Sequence, residues 1–171
     1  GKNGVIRKMI DNNQLCSLIL YGPAGCGKTS IAHVISNYYS LQSYEFNASC
    51  DNKNKLKDII DTAKMYENTI LIIDEIHRMK KDIQDFLLPY VENGTLTMIG
   101  LTTVNPYHSV NPAIRSRCHI FKLNELTDED MLTILKRAYI SMNLSVKIDP
   151  EVYDYIVGIS GHEIRSLINN F

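Results

Sequence analysis

Residues Gly22-Pro23-Ala24-Gly25-Cys26-Gly27-Lys28-Thr29 follow the spacing G-x-x-x-x-G-K-[ST]. Glycines at these positions let backbone N–H groups converge on phosphate oxygens, and the helix expected from Lys28 onward turns its positive end toward the same anion. In such a loop Lys28 neutralises the β- and γ-phosphates of ATP and the Thr29 hydroxyl binds Mg²⁺. The expected nucleotide-binding segment therefore runs from Gly22 through Ser30. A second group of chemical interest closes the run Ile70-Leu71-Ile72-Ile73 with Asp74-Glu75. An acid at the C-terminal end of a buried strand can reach a metal from an adjacent sheet position, which assigns Asp74 to Mg²⁺. Glu75 beside it can polarise a water for attack on the γ-phosphate. Alone, the pair reads as ordinary strand-end acids in solvent; downstream of a phosphate loop it reads as chemistry. It also argues against a phosphate-loop kinase, whose attacking group is a substrate hydroxyl.

Other candidates are individually weaker. Thr102-Thr103 ends an apolar run where a hydroxyl could hold the attacking water, although β-propensity alone explains threonines there. Arg115 and Arg117 flank Ser116, and each fits either a solvated face or an arginine finger reaching a neighbouring subunit's γ-phosphate. Arg165 fits a solvated face or a side chain folded back on the nucleotide. His77, in Asp-Glu-Ile-His-Arg, lacks the spaced partners of a metal ligand and reads as structural. Lys53, Lys55 and Lys57, with Arg78, Lys80 and Lys81, form two local basic clusters that suit solvent or a DNA-facing edge equally.

These residues need elements to hold them. The apolar run Leu18 to Tyr21 predicts a buried strand ahead of the phosphate loop, and the spacing of Ile31, Ala32, Val34 and Ile35 predicts a helix from Lys28 to about Tyr39. Strands are expected at Ser43 to Asn47, Thr69 to Ile73, Leu96 to Thr103 and Cys118 to Leu123. Helices are expected through Leu56, Ile59, Ile60 and Ala63, and through Ile83, Phe86, Leu87 and Tyr90 as far as Asn93-Gly94. The opening stretch GKNGVIRKMI carries no cap or strand signal. Alternating strands and helices imply an α/β architecture: a five-stranded parallel sheet covered on both faces. Beyond Leu123 the strand pattern stops. Thr127 to Asp130 resembles a capping box ahead of Met131 to Ile140, Asp149-Pro150 opens another helix, and a last helical segment follows Gly161 as far as Phe171. The boundaries read as 1–123 for the α/β core and 124–171 for a small all-helical unit.

Composition limits the alternatives. Hydrophobic residues make up 44 % of the 171, enough for a core, which excludes intrinsic disorder. With 18 Lys+Arg against 19 Asp+Glu the net charge is −1, so any nucleic-acid contact comes from a local patch rather than a globally basic domain. Cys16, Cys26, Cys50 and Cys118 show neither a C-x-x-C pair nor histidines at ligand spacing, and read as reduced thiols of a cytosolic protein. No apolar run reaches membrane-spanning length, and no membrane partner is expected.

The ordered set of phosphate loop, Asp-Glu strand, polar strand end, Ser-Arg-Cys arginine and helical lid with an arginine resembles the AAA+ ATPases, which are phosphate-loop NTPases. Within them, Asp-Glu-Ile-His-Arg, Ile-Gln-Asp-Phe-Leu-Leu-Pro-Tyr-Val-Glu-Asn-Gly, Ile-Gly-Leu-Thr-Thr-Val-Asn-Pro and Ser-Arg-Cys resemble the replication-associated recombination protein A group, also called maintenance of genome stability protein A. Werner-helicase-interacting ATPases are its eukaryotic relatives. Clamp-loader subunits are the next most similar, through Phe46-Asn47-Ala48-Ser49.

The resemblance implies roles for matching positions. Lys28 and Thr29 match the Walker A lysine and threonine, and Asp74 and Glu75 the Walker B metal acid and catalytic base. Thr103 falls on the sensor 1 residue, Arg117 on the finger acting in the neighbouring subunit, Arg165 on the sensor 2 arginine, and Asn47 on the residue that restrains the catalytic glutamate. Departures are His162-Glu163 for the family's Gly-Asp, Ala24 for proline and Leu101 for alanine. The family's adenine-enclosing segment would precede Gly1 and its oligomerisation region would follow Phe171, so the chain reads as an excised core with a truncated lid. The implied function is DNA-stimulated ATP hydrolysis in replication-fork maintenance, recombination or repair, with ATP and Mg²⁺ as cofactors. DNA, replication-fork proteins and a homo-oligomeric ring or tetramer are the implied partners of the full-length protein, the fragment being monomeric. The location is cytoplasmic, nucleoid-associated in a bacterium or nuclear in a eukaryote. The alternatives are a clamp-loader subunit used as a nucleotide-gated switch and, more remotely, a Holliday-junction motor.

Overall fold

The computed structural model describes residues 4–66, 68–142 and 149–171; residues 1–3 of the opening stretch lie outside them. Two compact units form, one of residues 1–21 and 28–122, the other of residues 22–27 and 123–171.

The first unit is built on five parallel strands: β1 (Leu18–Tyr21), β2 (Ser43–Asn47), β3 (Thr69–Asp74), β4 (Leu96–Thr102) and β5 (His119–Lys122). Their spatial order is β2-β3-β4-β1-β5. Ile70 to Ile73 are each at most 2 % exposed, as expected of a strand covered on both faces. Helices α1 (Val5–Asp11), α2 (Lys28–Tyr39), α3 (Lys53–Ala63) and α4 (Lys81–Glu92), with the short α5 (Pro106–Ser109) and α6 (Pro112–Arg115), connect or flank the strands. Leu56, Ile59, Ile60 and Ala63 are all buried, so the apolar spacing of α3 identifies its inner face. In α4 the buried residues are Gln84, Leu87 and Val91, while Ile83, Phe86 and Tyr90 are only half-buried; the helix is turned relative to the expected face.

Several expectations change. The opening stretch contains α1, an exposed helix with Ile10 as its buried residue and no side-chain cap, which is why no sequence signal marks it. β4 stops at Thr102 and β5 starts at His119, each shorter than expected. β4 also lies between β1 and β3, pairing Leu20 with Leu101 on one side and Ile73 with Gly100 on the other. Asp74 is therefore two strands away from the strand that leads into the phosphate loop, not on an adjacent one.

The second unit packs α7 (Asp128–Ser141), α8 (Pro150–Ile159) and α9 (Ile164–Asn169) around Met131, Leu135, Ile156, Val157 and Leu167. The capping box at its start is complete: Asp130 N–H donates to Thr127 Oγ1 at 3.2 Å, and Thr127 N–H donates to Asp130 Oδ2 at 3.1 Å. Those bonds from the Thr127 N–H and hydroxyl hold the Asp130 carboxyl below the usual carboxylate range. No helix of the described residues is long and apolar enough to cross a membrane.

Candidate nucleotide site

The phosphate loop, residues 22–27, belongs to the second compact unit. Gly25 (φ +70°) and Gly27 (φ +92°) adopt left-handed backbone that side-chain-bearing residues avoid. A Cβ on Gly25 would also lie 2.8 Å from Glu163 Cα, and the Gly25 carbonyl accepts the Ile164 N–H at 3.1 Å. Cys26, between the two glycines, is buried. Next to these contacts His162 sits at φ +58° where the resembling family has glycine; its Nδ1–H donates to the Leu126 carbonyl at 3.0 Å, which helps to hold that conformation. Arg165 follows in α9 and is exposed.

In the first unit Lys28 and Thr29 open α2 directly after the loop, with Thr29 and Ser30 exposed. Thr29 and Asp74 face one cleft of about 250 Å³, together with Asn47, Asp51 and Lys55. A hydroxyl and a carboxylate facing one cleft are hard oxygen donors, and this set fits a Mg²⁺ carried by a nucleotide. Asp51 accepts from Lys55 Nζ and the Asn47 N–H, each at 2.7 Å, and these bonds hold its carboxyl below the usual range. Asn47 lies opposite Asp74 in the β2–β3 register, but its Oδ1 is taken by the Ser49 N–H at 2.9 Å. The structure does not pair Asn47 with Glu75.

Glu75 leaves β3 in the left-handed region (φ 53°, ψ 41°), and its N–H donates to Asp74 Oδ1 at 3.0 Å. A non-glycine residue held there stores about 1–3 kcal/mol of strain, which is tolerated where surrounding contacts over-determine it. The chain then makes a 3₁₀ turn, Ile76–Arg78. Glu75 Oε2 meets His77 Nε2 at 3.2 Å and, more weakly, Arg78 Nε at 3.9 Å. On β4 the two threonines part company. Thr102 is buried and its hydroxyl is engaged by His77 Nδ1 and Val104, whereas Thr103 is exposed beyond the strand end.

Arg117 pairs with Glu92 at 2.6 Å and donates to Ser116 Oγ at 2.7 Å. Arg115 is occupied differently, donating to the Val110 carbonyl at 3.0 Å with its guanidinium 4.7 Å from the Tyr107 ring centre. Buried Gln84 supports this corner by accepting the Asn111 N–H at 2.7 Å and donating to the Met79 carbonyl at 2.8 Å. Gln84 and Glu92 were not anticipated from the sequence, and His77, expected to be structural, meets Glu75 and Thr102. A glutamine amid apolar spacing is the one visible signal among them. Of the basic clusters, Lys55 is drawn into the Asp51 bond and Lys53 Nζ sits 4.9 Å from the Phe86 ring centre.

The AAA family profile, described as ATPase family associated with various cellular activities, matches residues 18–126. The chain belongs to the AAA ATPase family. It is 44% identical over 170 residues to replication-associated recombination protein A of Bacillus subtilis, covering 96% of this chain and 40% of that protein. It is 35% identical over 173 residues to ATPase WRNIP1 of Dictyostelium discoideum, covering 96% of this chain and 20% of that one. The expected resemblance to the replication-associated recombination protein A group is thereby borne out, and the chain spans less than half the length of both relatives. Among solved structures, a RuvB variant of Thermotoga maritima matches with a TM-score of 0.79 at 24% identity, over 96% of this chain and 56% of that one. That likeness supports the AAA fold with its five-stranded parallel sheet.

Proposed function

We propose that this AAA chain binds and hydrolyses ATP within a longer DNA-associated protein acting in replication-fork maintenance, recombination or repair, with residues 1–123 as ATPase core and 124–171 as lid. The observation that carries the reading is the cleft shared by Thr29 and Asp74, with Glu75 immediately after Asp74. Thr29 and Asp74 would hold Mg²⁺, which when bound supplies a Lewis acid for the phosphate charge. The N–H groups of Gly22 through Ser30, with Pro23 lacking one, orient phosphate oxygens, and Lys28 neutralises the β- and γ-phosphates. Glu75 accepts the proton of the attacking water, and the exposed Thr103 hydroxyl holds that water. Thr102 is excluded from that task because its hydroxyl is already engaged.

Arg117 serves as the finger toward a neighbouring subunit of the assembly, and Arg165 as the lid arginine. The 44% likeness to replication-associated recombination protein A supports DNA and the replication machinery as partners. The test is Glu75→Gln in the full-length protein. DNA-stimulated ATP hydrolysis falls by about 100-fold or more while equilibrium ATP binding survives. Normal turnover in that variant removes the assignment of Glu75.

A further inference from the structure

His77 is the least expected participant in this site, and both of its ring nitrogens face polar partners. The ring is mostly shielded, with 17 % of its side chain exposed, between the end of β4 and the carboxylate of Glu75. Nδ1 lies 3.0 Å from Thr102 Oγ1 and Nε2 lies 3.2 Å from Glu75 Oε2. A threonine hydroxyl has one proton to give and two lone pairs to receive. Here Oγ1 receives the Val104 N–H at 3.1 Å and keeps one lone pair and one proton, so by itself it suits either ring tautomer. The carboxylate of Glu75 decides between them, because an ionised carboxylate only accepts and so draws the ring proton to Nε2, leaving Nδ1 to accept from Thr102. An imidazole whose Nδ1 accepts carries its proton on Nε2, and that proton faces Glu75. Should the ring be protonated, Nδ1–H donates to Thr102 and the threonine proton turns to the Val104 carbonyl at 3.3 Å. In both arrangements Nε2–H donates to the glutamate.

Three features keep this chain of bonds in place. Thr102 is 1 % exposed, so its hydroxyl does not exchange partners with bulk water. Ile76, at 0 %, is packed over β4 closely enough that a Cβ on Gly100 would meet its Cδ1 at 2.9 Å, which seats the turn carrying His77 on the strand carrying Thr102. The left-handed backbone at Glu75 lets the chain turn so that side chains two residues apart meet.

We propose that His77 is a positioning residue for Glu75, holding the carboxylate through Oε2 and joining it, through Thr102, to the strand end that carries Thr103. The inference rests on the reading of Glu75 as the base. A carboxylate held by one oxygen presents the other to water in a restricted direction, and misplacing a catalytic group by about 1 Å costs on the order of 100-fold in rate. Because Thr102 and Thr103 are consecutive, a displacement of the β4 end on nucleotide binding is passed to the carboxylate through two hydrogen bonds.

The experiment compares His77→Ala, His77→Gln, Thr102→Val, the double variant His77→Ala/Thr102→Val and Glu75→Gln in the full-length protein, by steady-state hydrolysis of Mg-ATP with DNA and by equilibrium ATP binding. His77→Ala lowers kcat by about 10- to 100-fold while KM and ATP affinity stay within about twofold. His77→Gln, whose amide nitrogen replaces Nε2 as donor, recovers much of the loss. Thr102→Val lowers kcat by a smaller factor, and the double variant is no slower than His77→Ala, because both act through one chain of bonds. Unchanged kcat in His77→Ala, a kcat loss matched by equal loss of ATP binding, no recovery in His77→Gln, or multiplicative losses in the double variant would each overturn the proposal. If Glu75→Gln is inactive while His77→Ala is unimpaired, only the role of His77 fails. If Glu75→Gln turns over normally, the reading of Glu75 fails first.

Discussion

The two compact units solve the problem of stability differently. The α/β unit has a continuous interior that runs from α3 through β3 to α4, including Phe46, Leu56, Leu71, Ile73, Leu87 and Met98, each at most 1 % exposed. Among the described residues the helical unit buries Met131, Leu135, Ile156, Val157 and Leu167, and it leaves Ile140, Tyr155 and Ile159 more than half exposed. A small core contributes less stabilisation, so local devices matter more there: the complete capping box at Thr127, the three acids in the first turn of α7 and proline at the first turn of α8. Asp74, Glu75 and His77, to which the proposed chemistry assigns the most exact placement, sit on the thickly packed unit. The capped helices form a unit more easily opened by itself.

The largest expected effect comes from emptying the two cores in turn. Leu71→Ala should destabilise the α/β unit by about 4 kcal/mol, because the tightly packed neighbours on that face of β3 cannot collapse into the space. Leu135→Ala should cost the helical unit about 2–3 kcal/mol, because a thin core relaxes more readily. Denaturant melts followed by a probe in each unit measure both, and equal losses would break the distinction. Next in size, Thr127→Ala should cost about 1 kcal/mol. Hydrogen exchange should then speed up in α7 to α9 while β3 and β4 amides keep their rates; uniform acceleration would mean that the units open together. The smallest effect concerns the Arg117–Glu92 pair. With side chains 44 % and 38 % exposed, its removal by Glu92→Ala should change unfolding free energy by less than about 1 kcal/mol. A larger loss would place that corner with the core rather than with the surface.

Much of the α/β unit is legible from residue order alone. The bounds of α2, from Lys28 to Tyr39, follow from helical spacing after the glycine-rich loop, and those of β2, from Ser43 to Asn47, coincide with the strand expected there. What was not legible falls into two kinds. Short helices such as α1, α5 and α6 bury one residue each, too few to establish a period. Contacts between distant residues depend on strand order, and β4 lying between β1 and β3 has no local signal. The cysteines show the same limit. Burial pushes the Cys118 thiol up to about 12, a property that neither its spacing nor its neighbours announce.

By itself the sequence determined the chemistry on offer. Gly25 and Gly27 permit the loop, Lys28, Thr29, Asp74 and Glu75 supply charge and oxygen donors, and their types and spacing are local properties of a strand-turn-helix and a strand end. Only the tertiary structure decided that Thr102 is buried and hydrogen-bonded while Thr103 is exposed, and that His77 meets Glu75. Thr102 and His77 meet across 25 positions because β3 and β4 are paired and Ile76 packs over Gly100. The physical reason is that a hydrogen bond needs about 3 Å and the right direction, and over that separation in sequence only the packed sheet supplies them.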